Sequence, residues 1–344
     1  MTEIKERDTG GDTNHLPVSR SISARVGRFL LSKPESTIGI AAILLAGYFA
    51  ITSDVFLTTS NIRIISQYLI SAAILATGQS MLLICREIDL SMGNVYFMTP
   101  FLVHFAMVAG LPLPLAILVG VLGAGLVGVL NGLITIGAGI PSFIVTLAMG
   151  FVIHGFTLNI SEAFPVRAPS GGVAADIFGG AAFSGLLWVI LIVAVMHLVL
   201  TKTRWGVYTV AIGGNPIGAK EAGVPSTRIR MRNFVLAAML AGFAGVIEGI
   251  RIGSFDPGAG VAGQKVFESV SAAVIGGTLL TGGAGTVIGA FLGALVLAIL
   301  RDGFVLGGVS SFTFTMVLGV AIIVAMVLNS LATKARIRTQ SVRL

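Results

Sequence analysis

LAILVGVLGAGLVGVLNGLITIGAG, residues 115–139, runs for 25 residues without a charged side chain. A helix rises about 1.5 Å per residue, so a run of this length covers the roughly 30 Å hydrocarbon core of a bilayer. Its apolar residues are continuous rather than alternating. That pattern suits a helix, which satisfies its own peptide groups, and not a lipid-facing strand.

Runs of the same kind fill the chain. Before it come 37–53, 64–83 and 92–109; after it come 141–159, 183–201, 233–250, 266–281, 284–300 and 312–331. The run at 266–281 is short and carries Glu268, so a broken span is expected there. The fold class is therefore an all-α polytopic membrane protein with about ten transmembrane helices. Composition agrees: of 344 residues, 11% are charged and 55% hydrophobic, and the mean hydropathy is +0.97. A soluble fold needs more polar side chains than this to cover its surface.

Lys and Arg fix the expected orientation. With the N-terminus inside, 17 of the 22 basic residues fall on the inner side, and only Arg63, Arg167, Arg251, Lys265 and Arg301 on the outer. Both termini are expected in the cytoplasm. The chain divides into a polar N-terminal tail, 1–36, a transmembrane domain, 37–331, and a basic C-terminal tail, 332–344. The first tail lacks the apolar core of a signal peptide. Two connections are long: 160–182, outside, and 202–232, inside. The net charge of +7 is thus a matter of loops and tails, and nucleic acid is excluded as a partner. The single cysteine, Cys85, cannot form an internal disulfide or a cysteine metal cluster, and is read as a small buried residue.

The inner loop is patterned. Gly213-Gly214-Asn215-Pro216 places a good N-cap before a proline suited to the first helical position, and Gly223 stands where a helix would stop, before Pro225. A short helix through Ala219 and Glu221 is predicted at the inner membrane face. It is either a structured connector or a docking element for a cytoplasmic partner. Gly213 and Gly218 have the spacing of a phosphate-binding loop, but Ala219 occupies the lysine position. Gly123, Gly125 and Gly128 match the dinucleotide fingerprint, yet they lie inside a span rather than after a strand. No cofactor or metal is expected to bind this chain, and no catalytic set is visible.

The glycines read better as close helix packing, Gly128 with Gly132 and Gly285 with Gly289 and Gly293. The cluster from Gly276-Gly277 to Gly285 is expected to turn tightly between two short spans, and interrupted helices are also where transporters line a path. Glu248 with Arg251, and Lys265 with Glu268, are spaced three apart. They are either local ion pairs or a polar outer mouth that meets a solute or partner. His104, His154 and His197 fall in separate spans with no acid beside them, so no proton relay is apparent. Gln79, Asn131 and Ser142 are polar residues in or beside spans; each could line a path or bond to a neighbouring helix.

Four strings, in order, resemble the permease subunits of ribose/xylose/galactose-type ABC sugar importers. Ile88-Asp89-Leu90-Ser91-Met92-Gly93 is similar to that family's GIDLSVG, and Thr203 to Val224 to its TRLGRYIYAIGGN segment. Ala241 to Glu248 with Arg251 resembles LAGIIEVAR, and Ala272 to Gly289 resembles AAVVLGGTSLxGGxGxxxG. Two departures stand out. Arg86-Glu87 replaces the family's Gly-Gly, and Val266 takes the place of its usual glutamate, with Glu268 following.

The resemblance implies a permease in a bacterial inner membrane that dimerises with a second copy or a paralogue. It implies two cytoplasmic ATP-binding partners, which use ATP and Mg, coupled through the inner loop. It also implies a periplasmic solute-binding protein that delivers a sugar or polyol. The alternative is an ion-coupled or facilitative carrier acting alone.

Overall fold

A computed structural model describes residues 34–258 and 261–310, with scattered positions between 313 and 327. Residues 1–33 and 332–344 of the expected tails, and much of the tenth run at 312–331, lie outside the described residues. Among the described residues the main helices are α1 Pro34–Thr52, α2 Thr59–Ile84, α3 Met92–Val108, α4 Leu113–Gly137, α5 Ser142–Ser161, α6 Ser184–Lys202, α7 Arg204–Gly214, α8 Pro216–Glu221, α9 Ser226–Ile252, α10 Ala262–Ile275 and α11 Val287–Leu306, with a short helical stretch at 173–180 between α5 and α6. Among the described residues, seven of them (α1, α2, α4, α5, α6, α9 and α11) are long and apolar enough to cross a bilayer. The chain is an all-α polytopic membrane protein.

The run at 266–281 is not one span. Its helix, α10, covers 14 residues and ends at Gly276. Gly277, Gly282, Gly283 and Gly285 then take positive φ, which no helix continues. The chain turns back, and Thr286 caps α11 by accepting from the Gly289 N–H at 3.0 Å. What reads as a short eighth span is a half-length helix followed by a glycine turn.

α9 is the central helix, packed on α2, α3 and α4, while α11 packs on α1, α2 and α10. Its inward face presents Ala237, Ala241 and Ala244, all fully buried. Lipid tails are as apolar as leucine, so close van der Waals approach rather than the hydrophobic effect joins such helices. The glycines supply that approach. A β-carbon on Gly128 of α4 would collide with the Phe234 carbonyl of α9, and one on Gly293 of α11 with the Ala272 carbonyl of α10. In the first turn of α2, Asn61 donates to Asp302 of α11 at 2.7 Å.

The 160–182 loop contains a feature that the runs do not show. A strand, β1 Val166–Arg167, pairs antiparallel with β2 Ser254–Phe255, Val166 opposite Phe255. The pair fastens this loop over the end of α9, with Phe255 fully buried beneath it.

Gly128→Leu and Gly293→Leu are expected to lower the thermal unfolding midpoint in detergent, each costing about 1–3 kcal/mol through overpacking. Gly137→Leu, at a position with open space around it, should leave the midpoint unchanged.

Candidate functional site

The 202–232 segment forms two helices, α7 and α8, rather than one. Thr203 caps α7, and Asn215 caps α8 through its Oδ1, which accepts from the Gly218 N–H at 3.0 Å. Ala219 is buried and anchors α8. Gly214, Asn215, Pro216, Glu221 and Gly223 are exposed, and Ile217 projects with 72% of its surface free. Gly223 takes a positive φ after the helix, as its place in the sequence implies.

Gly213, by contrast, is buried against the end of α2. A β-carbon there would collide with the Ile84 carbonyl, which also accepts from the Gly283 N–H at 2.8 Å. Arg86 Nε donates to the Gly213 carbonyl at 2.6 Å, and its Nη2 to that of Gly214 at 3.3 Å. Three segments far apart in sequence thus meet at the end of α2.

From that junction the N–H groups of Cys85, Arg86 and Glu87 bond back to the Leu82 and Leu83 carbonyls and close α2, and residues 88–90 then run without helical hydrogen bonds to α3. Buried peptide groups need partners, and the neighbouring helices supply them. Ser142 Oγ accepts from the Ile88 N–H at 3.1 Å, and Thr146 Oγ1 from the Leu90 N–H at 2.9 Å. Asp89 is fully buried. It accepts from the Ser91 N–H at 2.8 Å, the Ser91 hydroxyl at 2.6 Å and Asn131 Nδ2 at 3.2 Å. Burial pushes its carboxyl above the usual carboxylate range, and these donors oppose the rise.

Glu87 is paired with Arg230 of α9, whose Nε donates to it at 2.6 Å. Asn233 of α9 donates to the Met81 carbonyl at 3.1 Å and accepts from Trp205 Nε1 of α7 at 2.7 Å. Beside Asn233, burial pushes the Cys85 thiol up to about 12, so it stays an unreactive packed group. A groove of about 910 Å³ opens next to α8, lined among others by Arg86, Glu87, Pro216, Lys220, Arg228 and Arg232.

A second polar cluster occupies the far half of the bundle. Arg251 grips Glu248 with two donors, at 2.8 and 2.7 Å. Glu268 receives Arg301 of α11 at 3.2 Å, Gln264 at 3.2 Å and, more loosely, Lys265 at 3.8 Å. Lys265 also donates to Ser71 of α2 at 3.2 Å and stands 5.6 Å from the Tyr96 ring centroid, while Arg301 lies 4.6 Å over Tyr68. Gly245, one turn before Glu248, packs on the Tyr96 backbone. The two charge pairs therefore flank one another across Tyr96.

Asn131 and Ser142 bond to neighbouring segments, as described. Gln79 is fully buried, and its amide oxygen and nitrogen have no partner among the described residues. Gly276 presses on the backbone of Gly289, with Gly277 in the turn that follows. Arg86, Glu87, Arg230 and Ile217 escaped the reading of the sequence as site residues. The signal for the first two was present, since Arg86-Glu87 replaces Gly-Gly. The structure gives its reason: Arg86 holds a left-handed φ of 65° that glycine adopts without strain, and its guanidinium then binds α7.

Residues 61–326 match the family described as branched-chain amino acid transport system / permease component. Over 90% of its length the chain is 33% identical to the xylose/arabinose import permease protein of Sulfolobus acidocaldarius, covering 88% of that protein. It is 31% identical over 81% of its length to the ribose import permease protein of Bacillus subtilis, covering 88% of it. It is 29% identical over 90% of its length to the fructose import permease protein of Rhizobium meliloti, covering 89% of it. No solved structure matches the chain.

A double-mutant cycle on Glu87→Gln and Arg230→Ala, read as detergent stability, is expected to return a coupling of about 1–3 kcal/mol. Independent, additive effects would mean that the pair does not brace the break.

Proposed function

The chain belongs to the branched-chain amino acid transport system / permease component family, and on that premise we propose that it is the membrane-spanning subunit of an ATP-binding-cassette importer for a sugar or sugar-like polyol. Sugars rather than amino acids are favoured by the relatives, which are named for xylose, arabinose, ribose and fructose. Charge supports the same choice. An amino acid carries an ammonium and a carboxylate that seek counter-charges, whereas Glu248 and Glu268 are already engaged by this chain's own cations.

In this reading a cytoplasmic ATP-binding protein, which uses ATP and Mg, docks on α8. A solute-binding protein presents the sugar at the face that carries Glu248, Arg251, Lys265 and Glu268. A second permease copy or a paralogue completes the pore. The expected topology of about ten spans in the inner membrane, with both termini cytoplasmic, puts α8 on the ATPase side. The observation that carries the reading is the coupling of an exposed docking helix to a braced break in the bundle. Work delivered to Ile217 and its neighbours passes through Gly213 and Arg86 to the end of α2. From there it reaches residues 88–90, where the absence of helical bonding lets α2 and α3 change their mutual angle. A carrier acting alone has no use for such a lever, and no observation favours it.

Ile217→Asp and Glu221→Lys are expected to abolish ATP-driven uptake of xylose, ribose and fructose while membrane insertion stays at the wild-type level. The check is co-purification of the tagged chain in mild detergent together with uptake in cells. Uptake that survives both changes, or a chain that purifies alone and drives uptake from an ion gradient, would overturn the reading.

A further inference from the structure

Among the described residues, two polar side chains without a partner stand close together. Asn94 lies in the first turn of α3 and His154 in the middle of α5. Both are half-buried, and neither side chain has a hydrogen-bond partner among the described residues. They line one cleft of about 290 Å³ between α3, α5 and the start of α10. Gly150 makes the space, since a β-carbon there would stand 3.1 Å from Asn94 Nδ2. The cleft's aromatic groups are Phe151 and Phe267, 71% and 56% exposed. Among the described residues, no Asp, Glu, Lys or Arg lines it.

Physical chemistry restricts what this cleft can face. An amide and an imidazole at the depth of a spanning helix gain no hydrogen bond from lipid, and leaving them bare in hydrocarbon is costly. They need water, a ligand or another protein. The lining is also the pattern of a small-molecule site, mostly apolar and aromatic with a few convergent polar groups, at the small end of the ~300–1,000 Å³ range. An aromatic face suits the C–H face of a sugar ring, and an amide with a neutral imidazole offers donors and acceptors to its hydroxyls. Charged lining would be wasted on such a solute.

We propose that the cleft formed by Asn94, Phe151, His154 and Phe267 is a sugar-binding station on the translocation path, selective for a neutral monosaccharide. The inference rests on the importer reading and deepens it. Leu90, the last residue before Ser91 in the break, also lines the cleft, so a movement of residues 88–90 reshapes the station directly. Binding and release of the sugar are thereby tied to the state of α8.

The chain supplies its own background for a test, because its one cysteine is buried and its thiol is pushed up to about 12. Phe151→Cys and Phe267→Cys are introduced singly into the full chain, co-expressed with its ATPase, and treated in membranes with a charged, water-soluble methanethiosulfonate reagent. Both cysteines are expected to react about tenfold faster than Cys85 of the parent. Excess xylose, ribose or fructose is expected to slow the reaction.

Absence of labelling at both positions would overturn the proposal, since the cleft would then face lipid or a protein contact. Labelling that none of the three sugars slows would also overturn it, as a wet surface without a sugar site. The readout needs no turnover, so a chain that purifies without an ATPase and drives uptake from an ion gradient refutes the importer reading separately. As a second variant, Asn94→Leu is expected to lower uptake about fivefold with ATPase co-purification unchanged; full uptake would count against the station.

Discussion

A peptide group inside a membrane protein must find a hydrogen bond, and a segment that leaves the helix loses the ones it had. Residues 88–90 do leave the helix, among α2, α4, α5 and α9. The rest of the arrangement follows from how they are satisfied. Ser142 and Thr146 accept from Ile88 and Leu90. Asp89 turns its carboxylate onto Ser91 and Asn131, and Glu87 meets Arg230. Each neighbour is thereby bound to the break by a side chain rather than by shape alone. The break is held in place, yet it carries none of the repeating bonds that make a helix stiff.

This explains why the strongest polar contacts cluster where an apolar chain would be expected to avoid them. A half-satisfied network in a low-dielectric interior costs more than none, so the segment is braced from three helices, α4, α5 and α9. Arg86 extends the bracing outward. It accepts a left-handed backbone conformation and places its guanidinium on the carbonyls that end α7. One residue thus binds the interior break to the surface helices. The far cluster, around Glu268 and Tyr96, has the opposite character. Two cations, Lys265 and Arg301, converge on Glu268 from α10 and α11, and Lys265 ties the group to Ser71 of α2.

Much of this was legible in the sequence because the signals were local. Runs such as 115–139 and 183–201 show themselves by continuous apolarity. The short helix before Gly223 shows itself by the Asn215-Pro216 start, and Glu248 with Arg251 by their spacing. What failed to show depends on distance or on backbone. Hydropathy scores glycine as mildly apolar, so the turn after Gly276 reads as part of a span, although its positive φ values forbid a helix. Arg301 joins Glu268 from another helix, and no local spacing announces it. The resemblance covered the break and the inner loop, but it could not say that Gly213 and Gly283 both meet the end of α2. Asn94 and His154 are ordinary residues until three helices bring them to one cleft.

The meeting of Ile84 with Gly283 also orders events in time. The end of α2 is synthesised early, while the donor that completes it belongs to the turn before α11, close to the end of the described chain. Membrane helices insert first and associate afterwards, so α2, α4, α5 and α6 enter the bilayer before this bond can form. The closing of the glycine turn onto α2 is therefore a late event in assembly. A chain cut before residue 283 would lack that donor and α11 together, so the early helices and the late ones are finished by the same contact.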